Sequence, residues 1–223
     1  MNRKNTLMKI VIFGSGGFGR EVLWTINDCN NFKKKYHIMG FIDEKKSLHG
    51  KLIDKYPILG GVEWFSTKDA KDVCCVVAVG DSKIREKIVK SLEKLNVKFT
   101  TIIHPSVQYS NSIKFGTGTI IQAGSVITVD TTIGNHVHIN MNSSIAHDCK
   151  INDYSTISPN VAINGNTIIE KGSFIGSGVT MKEGIKIGKR SVVGAGTVLI
   201  ENVPENSLVV GVPGKIKTIH KKK

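Results

Sequence analysis

The chain has 223 residues, 40% hydrophobic and 22% charged, with a formal net charge of +13. That length allows one large domain or two modest ones, and no apolar run approaches the ~20 residues that a membrane span needs. Only four of the 31 basic residues are arginine (Arg3, Arg20, Arg85, Arg190) and aromatics are 6%, so the charge points to anionic small molecules rather than to nucleic acid.

Residues Met1 to Leu7 carry charge, but the apolar run after them is short and Gly-rich and has no small-residue cleavage site. No signal peptide is expected, which favours the cytoplasm. Cys29, Cys74, Cys75 and Cys149 have neither zinc-site nor disulfide-framework spacing, so space-filling thiols and no metal are expected.

In chain order, Lys9 to Phe13 reads as a buried strand, followed by Gly14-Ser15-Gly16-Gly17-Phe18-Gly19 and a helix from Arg20 onward. A second strand, His37 to Ile42, ends at Asp43-Glu44. Turn residues and Pro57 make Lys45 to Gly61 a loop or edge excursion. Val73 to Val79 is a third strand ending at Gly80-Asp81. Asp81 or Ser82 caps a helix from Lys83 to Leu95 whose apolar stripe is Ile84, Ile88, Val89 and Leu92. Alternating strands and helices predict a parallel sheet with ligands at the carboxyl ends of its strands. Gly14, Gly16 and Gly19 form G-x-G-x-x-G, and Asp43 closes the second strand at a distance suited to a ribose. An NAD-dependent oxidoreductase is one reading. Only about three βα units precede the next domain, however, so a smaller handle such as a nucleotide sugar fits better.

From Ile103 an apolar residue returns every sixth position: Tyr109, Phe115, Ile121, and so on through Leu199. Four residues after each comes a smaller class, including Thr119, Ser125, Thr131, Ser143 and Ser155. A period of six fits neither a helix nor an isolated strand; it predicts a β-solenoid with a corner after each short strand. The domains are thus expected at residues 1–102 and 103–223, with the segment after Val203 as a cap. If three strands close one coil, residues 18 apart stack. His147 falls on a corner with Asp148 beside it; a carboxylate there fixes the tautomer of a general base. Asn140, one hexad back, is a candidate to hold a carbonyl or amine. Ser177 and Ala195, flanked by glycines, form a small edge along which an extended ligand can lie.

The hexapeptide repeat, Ile145-Ala146-His147-Asp148-Cys149 and the closing Gly211-Val212-Pro213-Gly214-Lys215 resemble the left-handed β-helix acyltransferases. With Gly14 to Val22 and Gly40-Phe41-Ile42-Asp43-Glu44 added, the chain resembles the branch of sialic acid O-acetyltransferases and nucleotide-sugar N-acetyltransferases of bacterial surface-glycan pathways. The resemblance implies a Rossmann-like α/β half domain followed by a left-handed parallel β-helix. It implies that His147 is the general base, modulated by Asp148, in acetyl transfer from acetyl-CoA to an amino group of a nucleotide-linked sugar. Gly16, Gly17, Phe18, Asp43, Glu44 and Gly80 would hold that sugar, with Asn140 or backbone amides steadying the intermediate. Thr156, Ser177 and Ala195 would contact acetyl-CoA. A homotrimer is also implied. Several members carry histidine where this chain has Phe18 and Thr156. The rival within this chemistry is O-acetylation of sialic acid or a related sugar.

Overall fold

The computed structural model describes residues 7–218 and divides into two compact units, Met1–Pro105 and Ser106–Lys223. The charged start Met1 to Thr6, His220 and the run Lys221-Lys222-Lys223 lie outside the described residues.

The first unit comprises β1 (Met8–Phe13), α1 (Gly17–Phe32), β2 (Tyr36–Ile42), β3 (Leu52–Ile53), β4 (Tyr56–Gly60), β5 (Cys74–Val77), α2 (Ser82–Glu93) and β6 (Lys98–Phe99). The sheet order is β3-β4-β2-β1-β5-β6, parallel throughout except for β3 against β4. Ile10, Val11 and Ile12 are fully buried, as a central strand covered on both faces requires. β2 lies on one side of β1 and β5 on the other, so the strand order reverses at the carboxyl end of β1, where α/β folds open a crevice.

Of the two forms expected for Lys45 to Gly61, the structure takes the edge excursion: the stretch contains β3 and β4 at one edge of the sheet, and β4 pairs with β2. Pro57 is tolerated because β3, its outer neighbour, is only two residues long. The apolar stripe expected on α2 needs correction: Ile84 is 53% exposed, whereas Arg85 is fully buried beside Val89 and Leu92. Arg85 donates from Nη1 to the carbonyls of Val79 (2.6 Å) and Gly80 (3.1 Å), so its burial follows from hydrogen bonding, which apolar periodicity does not detect. Asp81 caps the helix as expected, accepting from the backbone N–H of Lys83 and Ile84.

The second unit is a left-handed parallel β-helix. Three two-residue strands make each coil, and strands 18 residues apart pair in register. The first face contains Ile120–Ile121, His138–Ile139, Thr156–Ile157, Phe174–Ile175 and Val192–Val193. The second face runs from Gln108–Tyr109 through Val126–Ile127, Ser144–Ile145, Ala162–Ile163 and Thr180–Met181 to Val198–Leu199. The third runs from Lys114–Phe115 to Lys186–Ile187. The second residue of each strand points inward, and from Ile121 to Leu199 these residues are 0–2% exposed.

The smaller class has a role beyond filling space. The buried hydroxyls of Thr119, Ser125, Thr131, Ser143 and Ser155 each donate to a carbonyl 15 residues later, at 2.8–3.1 Å. Four of them, Thr119, Ser125, Thr131 and Ser143, also accept a backbone N–H 18 residues later. Each is thereby compensated for its burial and links its coil to the next. At the far end Ser207–Val210 pairs with Val192–Val193 and is covered antiparallel by Lys215–Thr218, which shields the edge of the first face at Val192–Val193.

Candidate active site

In the first unit, the Gly-rich turn divides its labour among three glycines. Gly14 has φ +106°, and a Cβ there would sit 2.8 Å from the Ala78 carbonyl oxygen. A Cβ at Gly19 would lie 2.0 Å from the Gly14 oxygen, so only glycine lets α1 approach the turn. Gly16 and Gly80, by contrast, face open space, with no atom within 4 Å of an added Cβ. The N-terminus of α1 has neither a side-chain cap nor an acidic residue in its first turn. The positive end of its dipole therefore suits a phosphate.

Asp43 is tied to this turn. Its Oδ2 accepts from the backbone N–H and the hydroxyl of Ser15, and its Oδ1 accepts from the N–H of Lys45. Burial pushes the Asp43 carboxyl up, but the Ser15 hydroxyl, the two backbone N–H groups and nearby His49 outweigh it and hold it below its usual value. Ser15 was not singled out from the sequence, although a serine inside a glycine turn facing a strand-end carboxylate is a usable signal. With three donors already on Asp43, it shapes the turn. Glu44 accepts from the N–H of Val62 and borders a cavity of about 310 Å³ that is also lined by Phe13, Val62, Ile84, Lys87 and Ile88. Phe18 is half-buried at the first turn of α1.

In the β-helix, His147 and Asp148 lie on the corner after the second face. His147 Nδ1 is 2.9 Å from Asp148 Oδ2, and their side chains are 49% and 55% exposed. Asp148 has φ +57°, as have its stacked equivalents Asp130 and Asn166 within a few degrees. Short polar residues adopt this left-handed conformation most readily. An ionised carboxylate only accepts, so this contact assigns the proton to Nδ1 and leaves the Nε2 lone pair to take another. Cys149, next in sequence, is no rival nucleophile: burial pushes its thiol up, and Sγ donates to the Asn164 carbonyl at 3.3 Å. It is a neutral space-filler.

The remaining candidates lie elsewhere on the coils. Asn140 begins the corner after the first face and donates Nδ2 to the Ile157 carbonyl at 2.8 Å. Thr156 is on the first face, buried between His138 and Phe174. Ser177 and Ala195 are exposed on the corner after that face. A Cβ at neighbouring Gly176 would meet the Ala195 nitrogen at 2.6 Å, so the small edge is also a packing requirement. His147 and Asp148 are thus together, while the other candidates occupy another face or corner. Among the described residues no group of three or more His, Cys, Asp or Glu could hold a metal, and no helix is long and apolar enough to cross a membrane.

Residues 9–92 match the PglD N-terminal domain, residues 130–165 the bacterial transferase hexapeptide and residues 166–200 the hexapeptide repeat of succinyl-transferase. Over 138 residues the chain is 33% identical to GDP-perosamine N-acetyltransferase of Escherichia coli O157:H7, covering 59% of each protein. The chain spans between half and three fifths of the length of the curated relatives it matches. The structure of WeeI from Acinetobacter baumannii AYE is 32% identical, covers 95% of this chain and 100% of that one, and has a TM-score of 0.85. A histidine-to-asparagine variant of perosamine N-acetyltransferase from Caulobacter crescentus, in complex with CoA and GDP-perosamine, is 26% identical, covers 96% of this chain and 99% of that one, and has a TM-score of 0.87.

Proposed function

We propose that this chain, which belongs to the hexapeptide-repeat acyltransferases that carry a PglD N-terminal domain, transfers an acetyl group from acetyl-CoA to the amino group of a nucleotide-linked amino sugar. The observation that carries the reading is the exposed His147–Asp148 pair, with Nδ1 held at 2.9 Å and Nε2 free to accept. The sugar amine attacks the thioester carbonyl carbon while Nε2 takes its proton. The tetrahedral intermediate collapses, the C–S bond breaks and the CoA thiolate leaves, taking the proton from the imidazolium. Asp148 keeps the ring in the useful tautomer and offsets the positive charge as it forms.

Gly16, Gly17, Phe18, Asp43, Glu44 and Gly80 are assigned to the nucleotide sugar. The open space before Gly16 and Gly80 supports this, and the formal charge of +13 favours two anionic substrates. The oxidoreductase reading is not favoured, since the similar proteins are N-acetyltransferases. Thr156, Ser177 and Ala195 are assigned to acetyl-CoA, and Asn140 to the acceptor. With phenylalanine at position 18 and threonine at position 156, neither position supplies an imidazole.

We also propose a cytoplasmic homotrimer. The second face presents Gln108, Val126, Ser144, Ala162, Thr180 and Val198 outward, all uncharged, whereas the third presents Lys114, Lys150 and Lys186. The first face is likewise without charge at Ile120, Thr156, Phe174 and Val192, so depletion of charge favours the first and second faces over the third for contact between copies. Thiol release from acetyl-CoA, measured with GDP-, UDP- and dTDP-linked 4-amino sugars and with free sialic acid, tests the reaction. Turnover with a 4-amino sugar is expected; turnover with sialic acid alone would replace N- by O-acetylation. Light scattering tests the trimer.

A further inference from the structure

Most glycines of the β-helix have an evident backbone reason: a left-handed φ, or a neighbouring coil's backbone where a Cβ would stand. Gly165 has neither. Its φ is outside the left-handed region, and the atoms that an added Cβ would meet all belong to one imidazole: Cε1, Nε2 and Nδ1 of His147, at 2.5, 2.7 and 3.0 Å. Residue 165 is 18 positions after 147, and the two coils are tied at this corner by Asn166 N–H donating to the His147 carbonyl at 3.0 Å. The ring thus lies against bare backbone, turned so that Nδ1 reaches Asp148.

We infer that Gly165 is a positioning residue for His147: the missing side chain forms the seat that holds the imidazole in line with Asp148 and leaves Nε2 uncovered. This rests on the reading of His147 as the base. Other positions on the corners carry side chains in successive coils without conflict, as Asn135 and Asp153 do, with the carboxylate Oδ1 accepting the Asn135 N–H at 2.7 Å. The requirement at Gly165 is therefore specific to the ring above it. A contact of 2.5 Å falls about 1 Å short of an ordinary carbon–carbon approach. The half-exposed ring has room to swing away, so an added methyl displaces the base rather than unfolding the coil.

The test is Gly165→Ala. A shift of about 1 Å in a catalytic group can cost about 100-fold, so kcat should fall by that order while KM for acetyl-CoA and for the sugar stays unchanged. A crystal structure of the variant should show the Nδ1–Oδ2 contact of 2.9 Å opened. An unmoved ring, an unchanged kcat, or a loss carried by KM overturns the inference. If the variant does not fold, Gly165→Ala is made in a His147→Ala background. Folding there supports the inference, since the ring was the obstacle; failure there overturns it, since the backbone was. Absence of thiol release by the wild type would instead refute the acetyltransfer reading, and ring position in the variant would still decide the contact.

Discussion

Asp148→Asn separates an orienting carboxylate from a directly reacting one. Asparagine tolerates the φ of +57° at this corner, so the backbone is preserved. With both side chains about half exposed, the lost ion-pair stabilisation of the imidazolium is at most about 1 kcal/mol, or roughly five-fold in rate. Loss of tautomer control leaves the two neutral forms about equally populated, a further factor of about two. We therefore expect kcat to fall about ten-fold, compared with the ~10^4-fold of a buried triad carboxylate. His147→Ala removes the base itself and should cost ~10³-fold. Steady-state thiol release over a range of sugar concentrations measures both. If Asp148→Asn proves as damaging as His147→Ala, the solvent-screened His147–Asp148 pair is not the catalytic environment, and an orienting role for Asp148 is refuted.

Gly19→Ala drives a Cβ into the Gly14 carbonyl; with backbone on both sides, a cost of about 3 kcal/mol or more is expected, read as lost protease resistance of residues 7–105. Ile157→Ala, inward-facing and fully buried between Ile139 and Ile175, should cost about 2–5 kcal/mol in denaturant unfolding. Asp43 is held below its reference value of 3.8, so the unfolded chain binds the proton more readily. Its contribution is complete above that value and is lost as pH falls through the lower folded one. Ser15→Ala should accordingly lower Tm above about pH 4, with a difference from wild type that shrinks on further acidification. A difference that grows in acid would refute the assignment.

The hexad was legible because each coil repeats one packing problem: Ile121 to Leu199 answer it 14 times with a large inward residue. The corners were partly legible. Asn, Asp and Gly were expected at left-handed φ, but His136, Tyr154 and Arg190 adopt it too. The ring of Tyr154 stacks on His136 at 5.4 Å and receives Lys171 at 5.1 Å, so contact between coils sustains what local propensity disfavours. Strand β4 was hidden because Pro57 reads as a breaker, and the buried face of α2 because Arg85 is buried through hydrogen bonds to the Val79 and Gly80 carbonyls just before the helix, which apolar periodicity does not reveal. His147 and Asp148 could be paired from adjacency. The emptiness of Gly165 could not be related to His147 until the stacking fixed which residue faces which.

The hydroxyl ladders make the coil an indivisible unit of length. Thr131 and Ser143 bond to partners 15 and 18 residues later, so adding or removing 18 residues returns every downstream side chain to its own face. A change of six residues also keeps inward residues inward, yet it moves the rest of the chain on by one face. Placed before His147, it would carry the histidine to a different side of the prism with the core undisturbed. Insertions and deletions in this half of the molecule should therefore be tolerated in two tiers: multiples of six for folding, multiples of 18 for keeping the chemistry where it is.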